Sequence, residues 1–197
     1  VSTKPFSPYN YEEYSATDNG GSVYFDGDGD YLSISNQGIS GDLTYEGWFY
    51  QTVAQSNTWR ALLSSSTYAS GTPFEVYTYN TNIELWTSGS GGAAIITAPF
   101  KAFTWFYVAV VRSSNIWTLY VNGKPAGSNT VNGTYNFAST TGWSVGAGQT
   151  GSYPFTGYAS DVKLINSAIT NFTPPTSPKS SSGASLHIKG TDASIID

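Results

Sequence analysis

Apolar and polar residues alternate with a period of two through much of this chain, and short turns rich in Gly, Asn and Asp interrupt the alternation. The clearest stretch is Trp117-Thr-Leu-Tyr-Val121, closed by Asn122-Gly123, a pair that supplies the type I′ turn matched to strand twist. Phe74-Glu-Val-Tyr-Thr-Tyr79 and Ile83-Glu-Leu-Trp86 flank Asn80-Thr81-Asn82 and predict a second hairpin. Ser22 to Ile34 reads as two short strands around a Gly- and Asp-rich turn, anchored by Val23, Phe25, Tyr31 and Ile34. Leu43 to Val53 is nearly continuous in apolar residues, and Trp105-Phe-Tyr-Val-Ala-Val-Val111 is β-branched and aromatic and too short for a buried helix. Trp143-Ser-Val145 and Gly157 to Ile165 add two more strands. A proline-rich link (Pro174, Pro175, Pro178) then leads to Ser185-Leu-His-Ile-Lys189, where Leu186 and Ile188 alternate with His187 and Lys189.

No segment carries a helical period. Many short strands with regular turns predict an all-β chain folded as a two-sheet antiparallel sandwich. Phe25, Leu43, Tyr45, Phe49, Val108, Val110, Leu119, Val121, Val162 and Leu164 are the expected core, because they alternate or run apolar within those strands. Residues 1–20 hold two prolines and no period, and are expected as an extended lead-in anchored by Phe6, Tyr9, Tyr11 and Tyr14. Three parts follow: the lead-in at 1–20, a sandwich at 21–172, and a link with a terminal strand packing back at 173–197.

Composition narrows the function. Aromatics reach 16% while charged residues make up only 11%, which suits strands and turns and starves helices. With a net charge of −5 and eight scattered Lys and Arg, the chain lacks a surface for nucleic-acid phosphates. No run of 18 apolar residues supports membrane insertion. The absence of cysteine excludes disulfides and Cys-based zinc or redox chemistry. The chain starts at Val1 and has no methionine, as expected of a piece of a longer polypeptide, so a missing signal peptide says nothing about export.

Several motifs fail on their chemistry. Asp26, Asp28 and Asp30 begin like an EF-hand loop, but Tyr31 stands where Gly is needed and Gln37 where a bidentate Glu is needed. Gly146-Ala-Gly-Gln-Thr-Gly151 matches a dinucleotide fingerprint, yet Pro154 and nearby glycines prevent the helix that would cradle phosphate. A nucleophile triad needs His, and the only one, His187, lies far from any G-x-S-x-G elbow, which is itself missing. The chain is therefore not expected to be an enzyme.

The hairpin at 74–86 is the best candidate for binding. Alternation puts Val76, Ile83 and Leu85 toward the core and leaves Tyr77, Tyr79, Trp86, Glu75 and Glu84 on the other face. Aromatic rings stack on sugar C–H faces and carboxylates accept from hydroxyls, so this face could hold a glycan. Cross-strand aromatic pairing that only stabilises the sheet explains the same rings. Trp59, Tyr68 and Tyr153, in expected loops, are further candidates.

The order Phe25-Asp-Gly with Asp30-Tyr-Leu, Thr44-Tyr-Glu-Gly-Trp48, Trp105 with Val108-Ala-Val, Leu119-Tyr-Val-Asn-Gly123, and Phe155-Thr-Gly-Tyr with Asp161-Val-Lys-Leu resembles the concanavalin A-like, laminin G-type jelly roll, over roughly residues 21–170. The flanks Gly20-Gly-Ser-Val-Tyr-Phe-Asp-Gly27 and Asn171-Phe-Thr-Pro-Pro-Thr-Ser-Pro178 resemble such domains in tail and virion proteins of marine phages, cyanophages especially. Retaining glucanases of the same fold share a Glu-x-Asp-x-(x)-Glu motif that this chain lacks. The resemblance implies a non-enzymatic adhesion domain on a virion surface or outside a cell. Its expected partner is host carbohydrate or a neighbouring virion protein, in an assembly that allows a homo-oligomer. A calcium-dependent bacterial lectin is the alternative, and a glycan-degrading enzyme or its accessory domain is the third. The resemblance further implies a calcium ion at the sandwich rim, for which Asp26, Asp30 and Asp161 are the expected ligands.

Overall fold

Each alternating stretch forms a strand because one face can be buried while the backbone pairs on both sides. The computed structural model describes residues 21–39, 41–65, 74–87, 93–132, 142–169, 173–177 and 180–189. The lead-in at 1–20, Pro178 and residues 190–197 lie outside them. Thirteen strands are described: β1 (Val23–Asp26), β2 (Leu32–Ile34), β3 (Leu43–Gln51), β4 (Arg60–Ser64), β5 (Phe74–Tyr79), β6 (Asn82–Thr87), β7 (Ile96–Pro99), β8 (Trp105–Ser113), β9 (Ile116–Val121), β10 (Lys124–Thr130), β11 (Trp143–Val145), β12 (Thr156–Ile165) and β13 (Leu186–Ile188). A single 3-10 turn at Gln149–Gly151 is the one helical element among the described residues.

The strands form two antiparallel sheets. One runs β1-β12-β3-β8-β9-β10, with β13 also paired to β12, and the other runs β2-β11-β4-β5-β6-β7. This is the two-sheet antiparallel sandwich that the alternation predicts and the jelly roll that the family resemblance implies. Asn122 and Gly123 turn β9 into β10 with φ of 50° and 77°, both positive as a type I′ turn requires. β4, β7 and β10 have no clear signature in sequence: β4 is interrupted by a register shift between Ala61 and Leu63, β7 is short and ends in Pro99, and β10 is an exposed polar edge.

The core lies between the sheets. Phe25, Leu43, Tyr45, Phe49, Val108, Val110, Leu119, Val162 and Leu164 are buried there, while Val121, at the end of β9, is only partly so. Phe74, Trp117 and Trp143 fill the middle, with Phe49 and Phe155 meeting edge to face at 6.0 Å. Each large side chain so enclosed contributes roughly 1.5–3 kcal/mol through burial.

Strand β13 pairs with β12 in the register Lys163↔His187. The ladder of β12 on β3 slips between Ser160 and Lys163, and Asp161 sits in that bulge with φ of 53°. Its carboxylate meets His187 Nε2, both side chains being 3% exposed, and Ser181 Oγ lies 2.8 Å from His187 Nδ1. Burial holds the His187 imidazole below its usual range, and the neighbouring Asp161 carboxylate works against that. A chain ending at Thr173 loses this pair together with the partial burial of Leu186 and Ile188. Its melting temperature is expected to fall by roughly 6–12 °C, corresponding to about 3 kcal/mol. Equal melting of the two chains would show that β13 adds nothing to the sandwich.

Candidate functional site

The hairpin β5–β6 has the register Glu75↔Trp86, Tyr77↔Glu84 and Tyr79↔Asn82. Val76, Ile83 and Leu85 are fully buried in the core, so Glu75, Tyr77, Tyr79, Glu84 and Trp86 share the opposite face of the six-stranded sheet. Two further rings reach this face from outside the hairpin. Trp59, just before β4, stacks on Tyr79 with centroids 4.6 Å apart and planes at 22°. Tyr153 arrives from the loop between β11 and β12 and stands edge-on to Trp59 at 6.2 Å and to Tyr77 at 5.6 Å.

That loop is held in an unusual shape. Thr150 and Tyr153 adopt positive φ, 69° and 53°, a region that costs a bulky residue on the order of 1–2 kcal/mol. Backbone hydrogen bonds impose it: Gly148 N–H donates to Ser152 O at 2.6 Å, Phe155 N–H to Gly146 O at 2.7 Å, and Ala61 N–H to Tyr153 O at 2.8 Å. The last of these ties the loop to β4 beside its register shift. Strain of this kind persists only where the surroundings enforce it, and here it fixes the Tyr153 ring over the sheet.

Two carboxylates lie beneath the rings. Glu84 Oε2 accepts from Trp86 Nε1–H at 2.9 Å and from Trp59 Nε1–H at 3.2 Å. Glu75 Oε1 accepts from Ser64 Oγ–H at 3.0 Å, and the Tyr77 hydroxyl also bonds to this carboxylate. Sequence alternation placed the two glutamates on an outward face. In the structure Glu75 and Tyr77 are 6% exposed and Glu84 9%, whereas Trp59 and Tyr153 are 37% and 47% exposed. The acids are therefore the floor and the rings the rim, because side chains from distant loops lean over the hairpin.

Burial pushes the Glu75 carboxyl above its ordinary 4.5, against the opposing hydrogen bonds from Tyr77 and Ser64. Burial, and then the charge of Glu75, also raises the Tyr77 hydroxyl. The folded state thus keeps the Glu75 proton to higher pH than the unfolded chain does. This group's contribution to stability is complete below the unfolded value and is lost as pH rises through the folded one. Thermal melts from about pH 4 to 8 are expected to show a shallower decline for Glu75→Gln than for the natural chain. Parallel curves would contradict a Glu75 that titrates in its buried place.

The expected metal ligands do not gather. Asp26 ends β1 opposite Thr156 and uses Oδ1 to accept Asp28 N–H at 2.7 Å, an ordinary Asx turn. Asp161 is five residues further along β12, ~16 Å at the usual strand rise, and it faces His187. Although β1 and β12 do pair, their register keeps Asp26 and Asp161 apart. Among the described residues no three His, Cys, Asp or Glu side chains cluster as a metal site. The turn instead abuts the loop that carries Tyr153, since a Cβ on Gly151 would lie 3.6 Å from Gly29 O and 3.7 Å from Tyr31 Cε1.

The structure therefore brings together Trp59, Glu75, Tyr77, Tyr79, Glu84 and Trp86 with Tyr153, while Tyr68 lies outside the described residues. Sequence reasoning missed Ser64 as a partner of Glu75; its only signal is a polar residue closing the apolar run Ala61-Leu-Leu63 of β4.

Comparisons with known proteins agree with this fold. The profile of a laminin G-type family, described as the concanavalin A-like lectin/glucanases superfamily, matches residues 26–171. A heptameric SAP-like pentraxin from Limulus polyphemus superposes with a TM-score of 0.61 at 16% identity, covering 80% of each chain. Domains LG4-5 of the mouse laminin α1 chain give a TM-score of 0.57 at 15% identity over 80% of this chain and 45% of theirs. The CBM40 module of Ruminococcus gnavus IT-sialidase, bound to α2,3-sialyllactose, gives 0.56 at 12% identity over 80% of this chain and 95% of that one. No curated protein sequence matches the chain.

Proposed function

The chain belongs to the concanavalin A-like lectin/glucanases superfamily, and from that premise we propose that it is a non-enzymatic carbohydrate-binding domain of a secreted or surface protein, with its ligand on the β4–β5–β6 face. The observation that carries this reading is the pre-set rim of Trp59, Trp86 and Tyr153 over two hydrogen-bonded carboxylates. Trp59 is held by stacking on Tyr79 and by its bond to Glu84, so little side-chain freedom is lost when a sugar ring docks. Half-exposed aromatic faces cover sugar C–H groups, and carboxylate oxygens accept from hydroxyls.

The sialidase module bound to sialyllactose among the structural neighbours supports a glycan ligand, and the pentraxin heptamer supports looking for an oligomer. No helix among the described residues is long and apolar enough to cross a membrane. The finer setting on a phage virion is supported by the flanking segments' resemblance to marine phage tail proteins, and is checked by reading the gene's neighbours.

A glycan array followed by a reducing-sugar assay tests the reading. Binding to a defined set of glycans without release of reducing ends is the expected result. An array with no binding would remove the carbohydrate reading. Sugar release abolished by Glu75→Gln or Glu84→Gln would replace it with a hydrolase built on those two acids.

A further inference from the structure

The charge of the cradle floor selects among sugars. Two carboxylates lie under the rings, and among the described residues neither Glu75 nor Glu84 has a cationic partner. Glu84 is nine-tenths buried, yet only its Oε2 is used, by the two indoles. Its Oε1 has no hydrogen-bond partner and is not sealed from solvent. Arg60, at the start of β4, is no counter-ion: it pairs across the ladder with Thr78, whose hydroxyl points to the other face and donates to Gln51. Its guanidinium is occupied by Ser56 Oγ and Thr58 O. Arg112, Lys124 and Lys163 belong to the other sheet.

The rings add to this polarity. Trp59 meets Trp86 at 90° and Tyr153 at 80°, and Tyr153 meets Tyr77 at 81°. Their planes therefore stand at large angles to one another, and the negative face of an aromatic ring favours a cation beside it. A buried carboxylate oxygen beside such rings is complementary to an ammonium group and opposed to a second carboxylate.

Resting on the carbohydrate reading above, we infer that this site prefers glycans with a free amino group, hexosamine residues whose ammonium meets Glu84 Oε1, and rejects glycans carrying carboxylates.

Calorimetric titration of the whole chain with three probes tests this: glucosamine oligosaccharide, N-acetylglucosamine oligosaccharide of the same length, and sialyllactose, at a pH where the amine is protonated. The expected result is an affinity for the free-amine oligomer at least about tenfold above that for the acetylated one, with sialyllactose weakest. Glu84→Gln should close the gap between the first two, because a neutral amide no longer attracts the ammonium. Equal binding of the amine and acetyl forms, or tighter binding of sialyllactose, overturns the inference and leaves carbohydrate binding intact. A gap that persists in Glu84→Gln overturns the role given to that residue. The comparison of probes on the natural chain needs no variant, so a poorly folded Glu84→Gln does not blunt it. Should none of these probes bind and a broad glycan array stay blank, the carbohydrate reading itself fails.

Discussion

Trp59→Ala is expected to weaken glycan binding by about 30-fold or more while lowering the melting temperature by only about 2–4 °C. A central aromatic anchor costs at least about 2 kcal/mol when truncated, and each 1.4 kcal/mol is tenfold in affinity. Trp59 is such an anchor here: it stacks on Tyr79, meets Trp86 and Tyr153 edge-on, and donates to Glu84. Its share in folding is smaller because it is 37% exposed and outside the core between the sheets. Trp59→Phe keeps the ring and loses the donor, so it should recover most of the loss. Calorimetry alongside thermal melts separates the two effects. Unchanged affinity in Trp59→Ala would move the ligand off this face.

Among the described glycines, Gly157→Ala is expected to be the most damaging added methyl group, at about 4 kcal/mol or more, a drop in melting temperature of roughly 8–16 °C. Gly157 lies inside β12 with β1 on one side and β3 on the other, at φ of 151°. A Cβ there would sit 2.0 Å from Tyr50 O, a backbone atom that cannot move without opening the β12–β3 ladder. Gly29 is the useful contrast. Its φ of 92° also disfavours alanine, but a Cβ there meets nothing within 4 Å. Gly29→Ala should therefore cost only the backbone strain, about 1–2 kcal/mol. If both variants melt alike, the packing of β12 against β3 is not as described.

The β5–β6 hairpin was legible because its signals are local. Alternation assigns every face correctly, and Asn80, with φ of 50°, takes the turn that the asparagines predict. The core positions were legible for the same reason. What the sequence hides is long-range. Trp59 and Tyr153 read as loop residues, and the bond from Ala61 N–H to Tyr153 O holds the Tyr153 loop against β4, two residues from Trp59. Burial of Glu75 and Glu84 follows from that meeting. Asp161 looked like a rim ligand until the register of β13 on β12 set His187 against it. β10 carries Lys124-Pro-Ala-Gly-Ser-Asn-Thr130, a polar edge whose strand state rests on pairing with β9.

A second aromatic set shows why rings alone do not make a site. Tyr24, Tyr158, Tyr50 and Trp105 stand in register across four strands on the outer face of the seven-stranded sheet, with centroids 4.8, 6.4 and 5.7 Å apart. Cross-strand pairs of this kind strengthen a sheet by roughly 0.2–1 kcal/mol each. What distinguishes the cradle is the pair of enclosed carboxylates under it and the strained loop that aims Tyr153 at it.

The six tryptophans make the central claim directly measurable. Each indole N–H gives its own peak in a nitrogen–proton correlation spectrum, and the chain can be titrated with the best glycan from the array. The peaks of Trp59 and Trp86, whose N–H groups both bond to Glu84, should move together and saturate with the calorimetric affinity. Those of Trp48, Trp105, Trp117 and Trp143 should stay in place. Saturating glycan that shifts Trp48 or Trp105 and leaves Trp59 and Trp86 untouched would put the site on the other sheet and contradict this account.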